Sequence, residues 1–174
     1  MEFKTERLLI RPFNEEDLED VFHIYNNDAT CKYLLNDKWT HENKQKEFQR
    51  KLENNVLTKE TPLSLAVLSG TKVIGDLAVW YTEMKDTVEI GYTFSSEASG
   101  KGYATEAVSV LVNNLFSEFK VHRIQANLDA RNEASQKLCE RIGMRKEAHF
   151  IQDYWSKGEW TDSLVYGMLS SDLK

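Results

Sequence analysis

The most informative segment of the chain is Glu89-Ile90-Gly91-Tyr92-Thr93-Phe94-Ser95-Ser96-Glu97-Ala98-Ser99-Gly100-Lys101-Gly102-Tyr103-Ala104-Thr105-Glu106-Ala107. With the two residues before it, its first part is rich in β-branched and aromatic residues, which predicts a strand over Thr87–Phe94. From Ala104 to Phe119 the apolar residues keep helical spacing, which predicts the clearest helix of the chain. A strand therefore enters a loop with two glycines, and the loop opens a long helix.

This loop has the properties of a phosphate site. The start of a helix presents unpaired backbone N–H groups and the positive end of the helix dipole. Gly100 and Gly102 allow the backbone to approach a ligand closely and to adopt a positive φ, and Lys101 adds a positive charge. The pattern indicates a cradle for phosphate or pyrophosphate, although two glycines at a helix entry also fit a simple tight turn.

Two common nucleotide-binding motifs do not match the loop. A Walker A loop requires Gly-Lys followed directly by Ser or Thr, whereas Gly100-Lys101 is followed by Gly102. A dinucleotide-binding fingerprint requires a third glycine at the position of Thr105, and an acidic residue at the end of the next strand. The spacing alone leaves both a ligand-binding loop and a structural turn open.

The remainder of the chain predicts an α+β fold with a mixed sheet and helices on its faces. Further strands are predicted at residues 8–10, 63–68, 73–81, 123–128, 145–152 and 160–169. Helices are predicted from Asn14 to Tyr25, over residues 40–55, and from Ala134 to a stop at Gly143. Nothing repeats and no linker divides the chain, so we expect one domain over residues 1–174.

Composition narrows the class of protein. The net charge of −6 argues against nucleic acid as the main partner, because phosphate binding requires a basic face. No apolar run is long enough to cross a membrane, and the first residues lack the apolar core of a signal peptide. Cys31 and Cys139 form no CxxC pair, so we expect free thiols and a cytoplasmic protein. The four histidines show no metal-ligand spacing, so no metal site is predicted.

The loop and a second segment resemble the GNAT superfamily of N-acetyltransferases. Residues 100–107 resemble motif A, written Gln/Arg-x-x-Gly-x-Gly/Ala, and residues 132–144 resemble motif B, written N-x-x-S-x-x-L-x-E-K-x-G-F. The opening residues 5–11 and the segment 158–162 are similar to the RimJ/RimL branch, which acetylates ribosomal-protein N-termini. Ser99 and Met144 depart from the usual residues, which affects one expected cofactor contact and local packing.

The resemblance implies a fold and a co-substrate. The GNAT fold has a central mixed, largely antiparallel sheet of about seven strands, splayed between the fourth and fifth, here Thr87–Phe94 and residues 123–128. Acetyl-CoA would place its pantetheine arm in that gap and its pyrophosphate on the glycine loop. The residues that would bind it are Phe94, Ser95, Gly100, Lys101, Gly102, Tyr103, Ala104, Thr105, Asn127, Asn132 and Ser135.

Family precedent implies direct attack of an amine on the thioester, without an acyl-enzyme. Backbone N–H groups near Phe94 or Ser95 would stabilise the developing oxyanion. Glu89 is the candidate general base, and Ser135 is the candidate partner of the leaving thiolate. Each has a plainer explanation, an exposed carboxylate for Glu89 and a helix cap for Ser135. Tyr154 is the alternative acid, or an aromatic wall of the acceptor cleft.

The sequence leaves the acceptor open. A ribosomal-protein N-terminus, a polyamine and another small amine all fit the resemblance, which also suggests a homodimer. Two other classes compete with an N-acetyltransferase: a catalytically silent acyl-CoA-binding module of the same fold, and a nucleotide-binding phosphotransferase. Release of free thiol with an amine distinguishes the enzyme from the silent module, and binding of ATP but not CoA would support the phosphotransferase.

Overall fold

The computed structural model describes residues 1–173, which form one eight-stranded sheet flanked by helices. The strands are β1 (Phe3–Lys4), β2 (Leu9–Pro12), β3 (Leu63–Ser69), β4 (Lys72–Tyr81), β5 (Thr87–Phe94), β6 (Arg123–Asp129), β7 (Arg145–Ser156) and β8 (Glu159–Leu169). The helices are α1 (Leu18–Tyr25), α2 (Asp28–Cys31), α3 (Lys44–Glu53), α4 (Tyr103–Ser117) and α5 (Glu133–Arg141). Short 3-10 turns occupy Glu15–Asp17, Ser96–Ala98 and Ser170–Asp172.

The predicted fold class is confirmed. The strand order is β1-β2-β3-β4-β5-β6-β8-β7, and every neighbouring pair is antiparallel except β5 and β6. The sheet has eight strands instead of about seven because the two-residue β1 pairs with β2. Neither β1 nor α2 was predicted, since two and four residues are too short to show a period.

The splay lies where the resemblance implies, between β5 and β6. Only three residues of β5, Thr87 to Glu89, pair with β6, where their partners are Arg123 to Gln125. Beyond that point β6 stays paired with β8 as far as Asp129, while the second half of β5 stays paired with β4. Residues 90–94 of β5 therefore have no strand on their β6 side, and a gap opens there.

Helices cover both faces of the sheet. One face packs against α4, whose side chains Ala107, Leu111 and Leu115 are fully buried together with Leu65 and Leu77 of the sheet. The opposite face packs against α1 and α3 through a second cluster, which includes Val21, Phe22, Phe48, Ala66 and Val73. The alternation of Leu65 and Ala66 between the two clusters is the period of a strand that is buried on both faces.

The described residues were compared with the requirements of a membrane-spanning helix and of a metal site. Within residues 1–173, no helix combines the length and the apolar character needed to span a bilayer. The same residues contain no group of three or more His, Cys, Asp or Glu side chains placed to hold a metal ion.

Candidate active site

Two clefts open on either side of the gap between β5 and β6. The larger has a volume of about 1000 Å³ and lies between the end of β5, the start of α4 and α5. The smaller, of about 430 Å³, lies between residues 32–36, β5, β6 and the β7–β8 hairpin. We call them the loop cleft and the side cleft. The two share six lining residues: Tyr33, Leu34, Tyr92, Thr93, Asn132 and Ser135.

The predicted site residues divide between these clefts. The loop cleft is lined by most of the predicted cofactor residues: Phe94, Ser95, Gly100, Gly102, Tyr103, Ala104, Thr105, Asn132 and Ser135. Glu89, Tyr154 and Asn127 line the side cleft. Lys101 lines neither cleft, and its backbone carbonyl accepts a hydrogen bond of 2.8 Å from the Arg7 guanidinium. Asn132 and Ser135 alone among the predicted residues border both.

The glycine loop has the backbone that the sequence predicts. Gly100 and Gly102 have φ values of 75° and 78°, in the left-handed region that favours glycine. The first backbone bond of α4 runs from the N–H of Glu106 to the carbonyl of Gly102. The N–H groups of residues 103–105 precede that bond and line the loop cleft, so they present the unpaired donors of a helix start.

The N-terminal segment braces this loop. The Glu106 carboxylate accepts hydrogen bonds from the Thr5 hydroxyl, the Arg7 backbone N–H at 3.1 Å and the Arg7 side chain at 2.7 Å. The Arg7 guanidinium also lies 4.7 Å above the ring of Tyr103. Burial alone would raise the pKa of Glu106, but the bonds from Thr5 and Arg7 outweigh it and hold that pKa below its ordinary value. The opening segment thus fixes the first turn of α4.

The backbone donors in the gap can be identified from the register of β5. Of the two positions that the sequence offered, the Ser95 N–H donates to the Ile74 carbonyl of β4 at 2.8 Å, so it is not available to a ligand. Hydrogen bonding alternates along an antiparallel pair, and Phe94 lies opposite Gly75 in the next position of the register. The N–H groups of Phe94 and Tyr92 therefore point away from β4 and into the gap.

Ser135 is held at the boundary of the two clefts. Asn132 caps α5, because its side-chain oxygen accepts from the Ser135 backbone N–H at 3.2 Å. The Ser135 side chain does not cap the helix. Its oxygen lies 2.6 Å from the Tyr92 hydroxyl, which makes the plainer explanation of this serine wrong. Tyr92 was missed from sequence, because it continues the row of apolar residues Val88, Ile90 and Phe94 on one face of β5, and nothing in the pattern places its hydroxyl against α5.

Glu89 is fixed in the side cleft by neutral donors. One carboxylate oxygen accepts from the side-chain amides of Gln125 at 2.9 Å and Asn127 at 2.8 Å. Three other carboxylates line this cleft, and all are ion-paired: Asp76 with Lys51, and Asp129 and Glu159 with Arg131. Within the described residues, Glu89 is thus the one carboxylate of the side cleft that has no cationic partner.

Tyr154 stands apart from Ser135. It lies on β7 with 41% of its surface exposed. It lines the side cleft and not the loop cleft. Its backbone carbonyl accepts a hydrogen bond from Thr161 on the neighbouring strand. The two candidate partners of a leaving thiolate therefore occupy different places, and only Ser135 borders both clefts.

Comparison with known proteins supports this assignment of the fold. The family model for the acetyltransferase (GNAT) domain matches residues 7–145. The chain is 29% identical over 172 residues to YnaD, an uncharacterized N-acetyltransferase of Bacillus subtilis, with 99% of each chain covered.

Two solved structures share the fold over nearly the whole chain. A GNAT-family acetyltransferase from Bacillus anthracis superposes with a TM-score of 0.87 at 29% identity, covering 98% of this chain and 99% of that one. A spermidine N-acetyltransferase from Vibrio cholerae, solved with CoA and spermine, superposes with a TM-score of 0.81 at 19% identity, covering 97% and 98%. Because the family model spans both the glycine loop and α5, this chain belongs to the acetyltransferase (GNAT) domain family.

Proposed function

We propose that the protein transfers an acetyl group from acetyl-CoA to a primary amine by direct attack in a ternary complex. The observation that carries the proposal is the meeting of the two clefts at Ser135 and Asn132. One cleft has unpaired helix donors suited to a pyrophosphate, and the other has a fixed carboxylate suited to an amine. In a reaction between two bound substrates, the two binding sites must meet where the reacting atoms come together.

The loop cleft fits acetyl-CoA. Its volume of about 1000 Å³ stands at the upper end of ordinary ligand pockets, as an elongated co-substrate requires. The left-handed Gly100 and Gly102 bring the loop backbone to the cleft, and the N–H groups of residues 103–105 would hold the pyrophosphate. The pantetheine arm would lie in the gap, within reach of the Phe94 N–H. The CoA bound to the Vibrio cholerae relative supports the same use of the fold.

The side cleft supplies the base. A primary amine has a pKa of about 10.4 and is mostly protonated at neutral pH, so a proton must leave before attack. Glu89 would take that proton directly or through one water. Gln125 and Asn127 hold one carboxylate oxygen of Glu89, which leaves the other to face the amine. The neutral partners matter, because a cation beside Glu89 would repel a protonated amine.

The junction supplies the donors that the reaction needs. Acetyl-CoA supplies the acetyl group as a thioester, and its carbonyl oxygen becomes negative during attack. The Phe94 N–H in the gap would stabilise that oxygen. Ser135 would donate a hydrogen bond to the leaving sulfur, a role that suits a buried hydroxyl whose own pKa is too high for full proton transfer. Tyr154 would then line the acceptor cleft instead of serving the thiolate.

The acceptor is proposed as a protein N-terminal α-amine or a small amine. The opening residues 5–11 and the segment 158–162, which resemble the RimJ/RimL branch, support a protein N-terminus as the acceptor. The spermidine acceptor named for the Vibrio cholerae relative supports a small amine.

Both buried cysteines are free thiols, which fits a reducing compartment, so we propose the cytoplasm as the location. We also propose that the protein forms a homodimer and that residues 1–174 act as one functional domain.

A coupled assay tests this function. The protein is incubated with acetyl-CoA and, in separate reactions, a peptide that begins with Ala or Ser, spermidine and an aminoglycoside. Free thiol and the mass of each amine are then measured. We expect thiol release with one amine class, matched by an acetyl adduct on that amine. Acetyl-CoA binding without thiol release in any reaction would identify the silent module instead.

A further inference from the structure

A chain of three polar groups runs through the wall between the two clefts. The Tyr92 hydroxyl lies 2.6 Å from the Ser135 hydroxyl and 3.2 Å from the Cys139 sulfur. Ser135 and Cys139 are four residues apart on α5, so both face the same side of the helix. Cys139 is fully buried and Ser135 is 9% exposed, so the chain begins in the core and ends at the cleft junction.

Tyr92, Ser135 and Cys139 each carry one polar hydrogen, and at these distances either member of each pair can donate. The Tyr92 hydroxyl also lies 3.4 Å from the backbone carbonyl of Ser135. One direction frees the Ser135 hydrogen for a ligand: the Cys139 thiol donates to the Tyr92 oxygen, and Tyr92 donates to the Ser135 oxygen.

Burial keeps both inner groups protonated. It raises the pKa of Tyr92 well above its ordinary value, and it raises the pKa of the Cys139 thiol to about 11. Both groups therefore remain donors throughout the neutral range. When Tyr92 donates to Ser135, the oxygen of Ser135 is occupied as an acceptor, and its own hydrogen is free to point into the junction of the two clefts.

We propose that Tyr92 is a positioning residue, which directs the Ser135 hydroxyl hydrogen at the sulfur that leaves acetyl-CoA. This inference rests on the proposed function. As the new N–C bond forms, the C–S bond breaks and the sulfur takes the electron pair. Glu89 passes the first proton of the ammonium group to solvent before attack and takes the second as the N–C bond forms, so the products are the amide and the thiolate of CoA. Tyr92, Ser135 and Cys139 keep their protons. Each donor in the chain polarises the next, which strengthens the final bond to the thiolate.

A purely structural link between β5 and α5 is the competing explanation. Such a link would change the stability of the protein, but it would not change the acidity of a bound thiol. The test therefore measures the pKa of the thiol of CoA bound to the protein, from the ultraviolet absorbance of the thiolate. The complex with CoA that lacks the sulfur atom provides the baseline, so neither an acceptor amine nor turnover is needed.

Wild type is compared with Ser135→Ala, Tyr92→Phe and the double variant. We expect Ser135→Ala to raise the pKa of the bound thiol by about one, which corresponds to one hydrogen bond to a charged group. Tyr92→Phe should produce a large part of that rise. The double variant should match Ser135→Ala alone, because Tyr92 acts through Ser135. The control is Tyr81→Phe, a partly buried tyrosine of β4 that lines neither cleft and should leave the thiol unchanged.

The outcomes separate this inference from the proposed function. A normal effect of Ser135→Ala with no effect of Tyr92→Phe would overturn the positioning role alone. An effect of Tyr92→Phe that adds in full to that of Ser135→Ala would also overturn it, because the tyrosine would then act independently. If wild type binds no CoA, or if Ser135→Ala leaves the thiol unchanged, the proposed roles of the loop or of Ser135 are wrong and the inference is wrong with them.

Discussion

Replacement of Gly102 by valine tests the phosphate cradle most sharply among single variants. Gly102 has φ 78°, and a Cβ built on it lies 3.4 Å from the Arg7 guanidinium. A left-handed conformation costs a non-glycine residue about 1–2 kcal/mol, and valine is among the residues that tolerate it least. The loop should relieve this strain by moving, which displaces the N–H groups at the start of α4.

The expected loss of acetyl-CoA affinity follows from the hydrogen bonds between the loop N–H groups and the pyrophosphate. A hydrogen bond to a charged group contributes about 1.5–3 kcal/mol, so loss of one bond to pyrophosphate weakens acetyl-CoA binding roughly 10- to 150-fold. Isothermal titration calorimetry of acetyl-CoA measures this directly. The strain itself should lower Tm by roughly 2–8 °C in a protein of this size.

Gly70→Val is the matched control. Gly70 has φ 62° in the turn between β3 and β4, has open space around its Cβ position, and lines neither cleft. It should lower Tm by a similar amount and leave acetyl-CoA affinity unchanged. Wild-type affinity in Gly102→Val, or an equal loss of affinity in Gly70→Val, would refute the assignment of the loop.

Three further predictions concern the reaction and the brace of the loop. Ser135→Ala should lower kcat about 10- to 100-fold with little change in acetyl-CoA Kd, and an equal change in both would contradict its role. Glu89→Gln should lower kcat at neutral pH, with activity partly recovered at higher pH where the amine is deprotonated; an unchanged pH–rate profile would exclude it as the base. Glu106→Gln should lower Tm. Because Thr5 and Arg7 lower the folded-state pKa of Glu106, this difference in Tm should be complete above about pH 4.3 and should shrink as the pH falls further. A difference in Tm that does not depend on pH would show that the bonds from Thr5 and Arg7 to the Glu106 carboxylate do not stabilise the fold.

Local pattern was enough to predict the elements around the loop. The strand Thr87–Phe94, the helix that starts at Tyr103 and the two left-handed glycines are all determined by short-range chemistry: β-branched content, helical period and backbone sterics. The position of the splay followed from the family resemblance, and the pairing of only three residues between β5 and β6 confirms it.

Contacts between distant segments could not be predicted in the same way. Tyr92 and Ser135 are 43 residues apart, and Thr5 and Glu106 are 101 apart. Nothing in the local pattern of either segment encodes such a partner. The sequence left the backbone donor open between Phe94 and Ser95 for a related reason, because which N–H groups of a strand face a gap depends on its register with the neighbouring strand.

Thermal melting with acetyl-CoA, ATP and NAD in parallel tests whether the loop before α4 binds acetyl-CoA. At about 100 times Kd a ligand stabilises the folded protein by about 2.7 kcal/mol, which raises Tm by roughly 5–10 °C in a chain of this length. We expect that rise with acetyl-CoA and no comparable rise with ATP or NAD. No rise with acetyl-CoA, or a rise with ATP or NAD alone, would contradict both the assignment of the loop and the mechanism built on it.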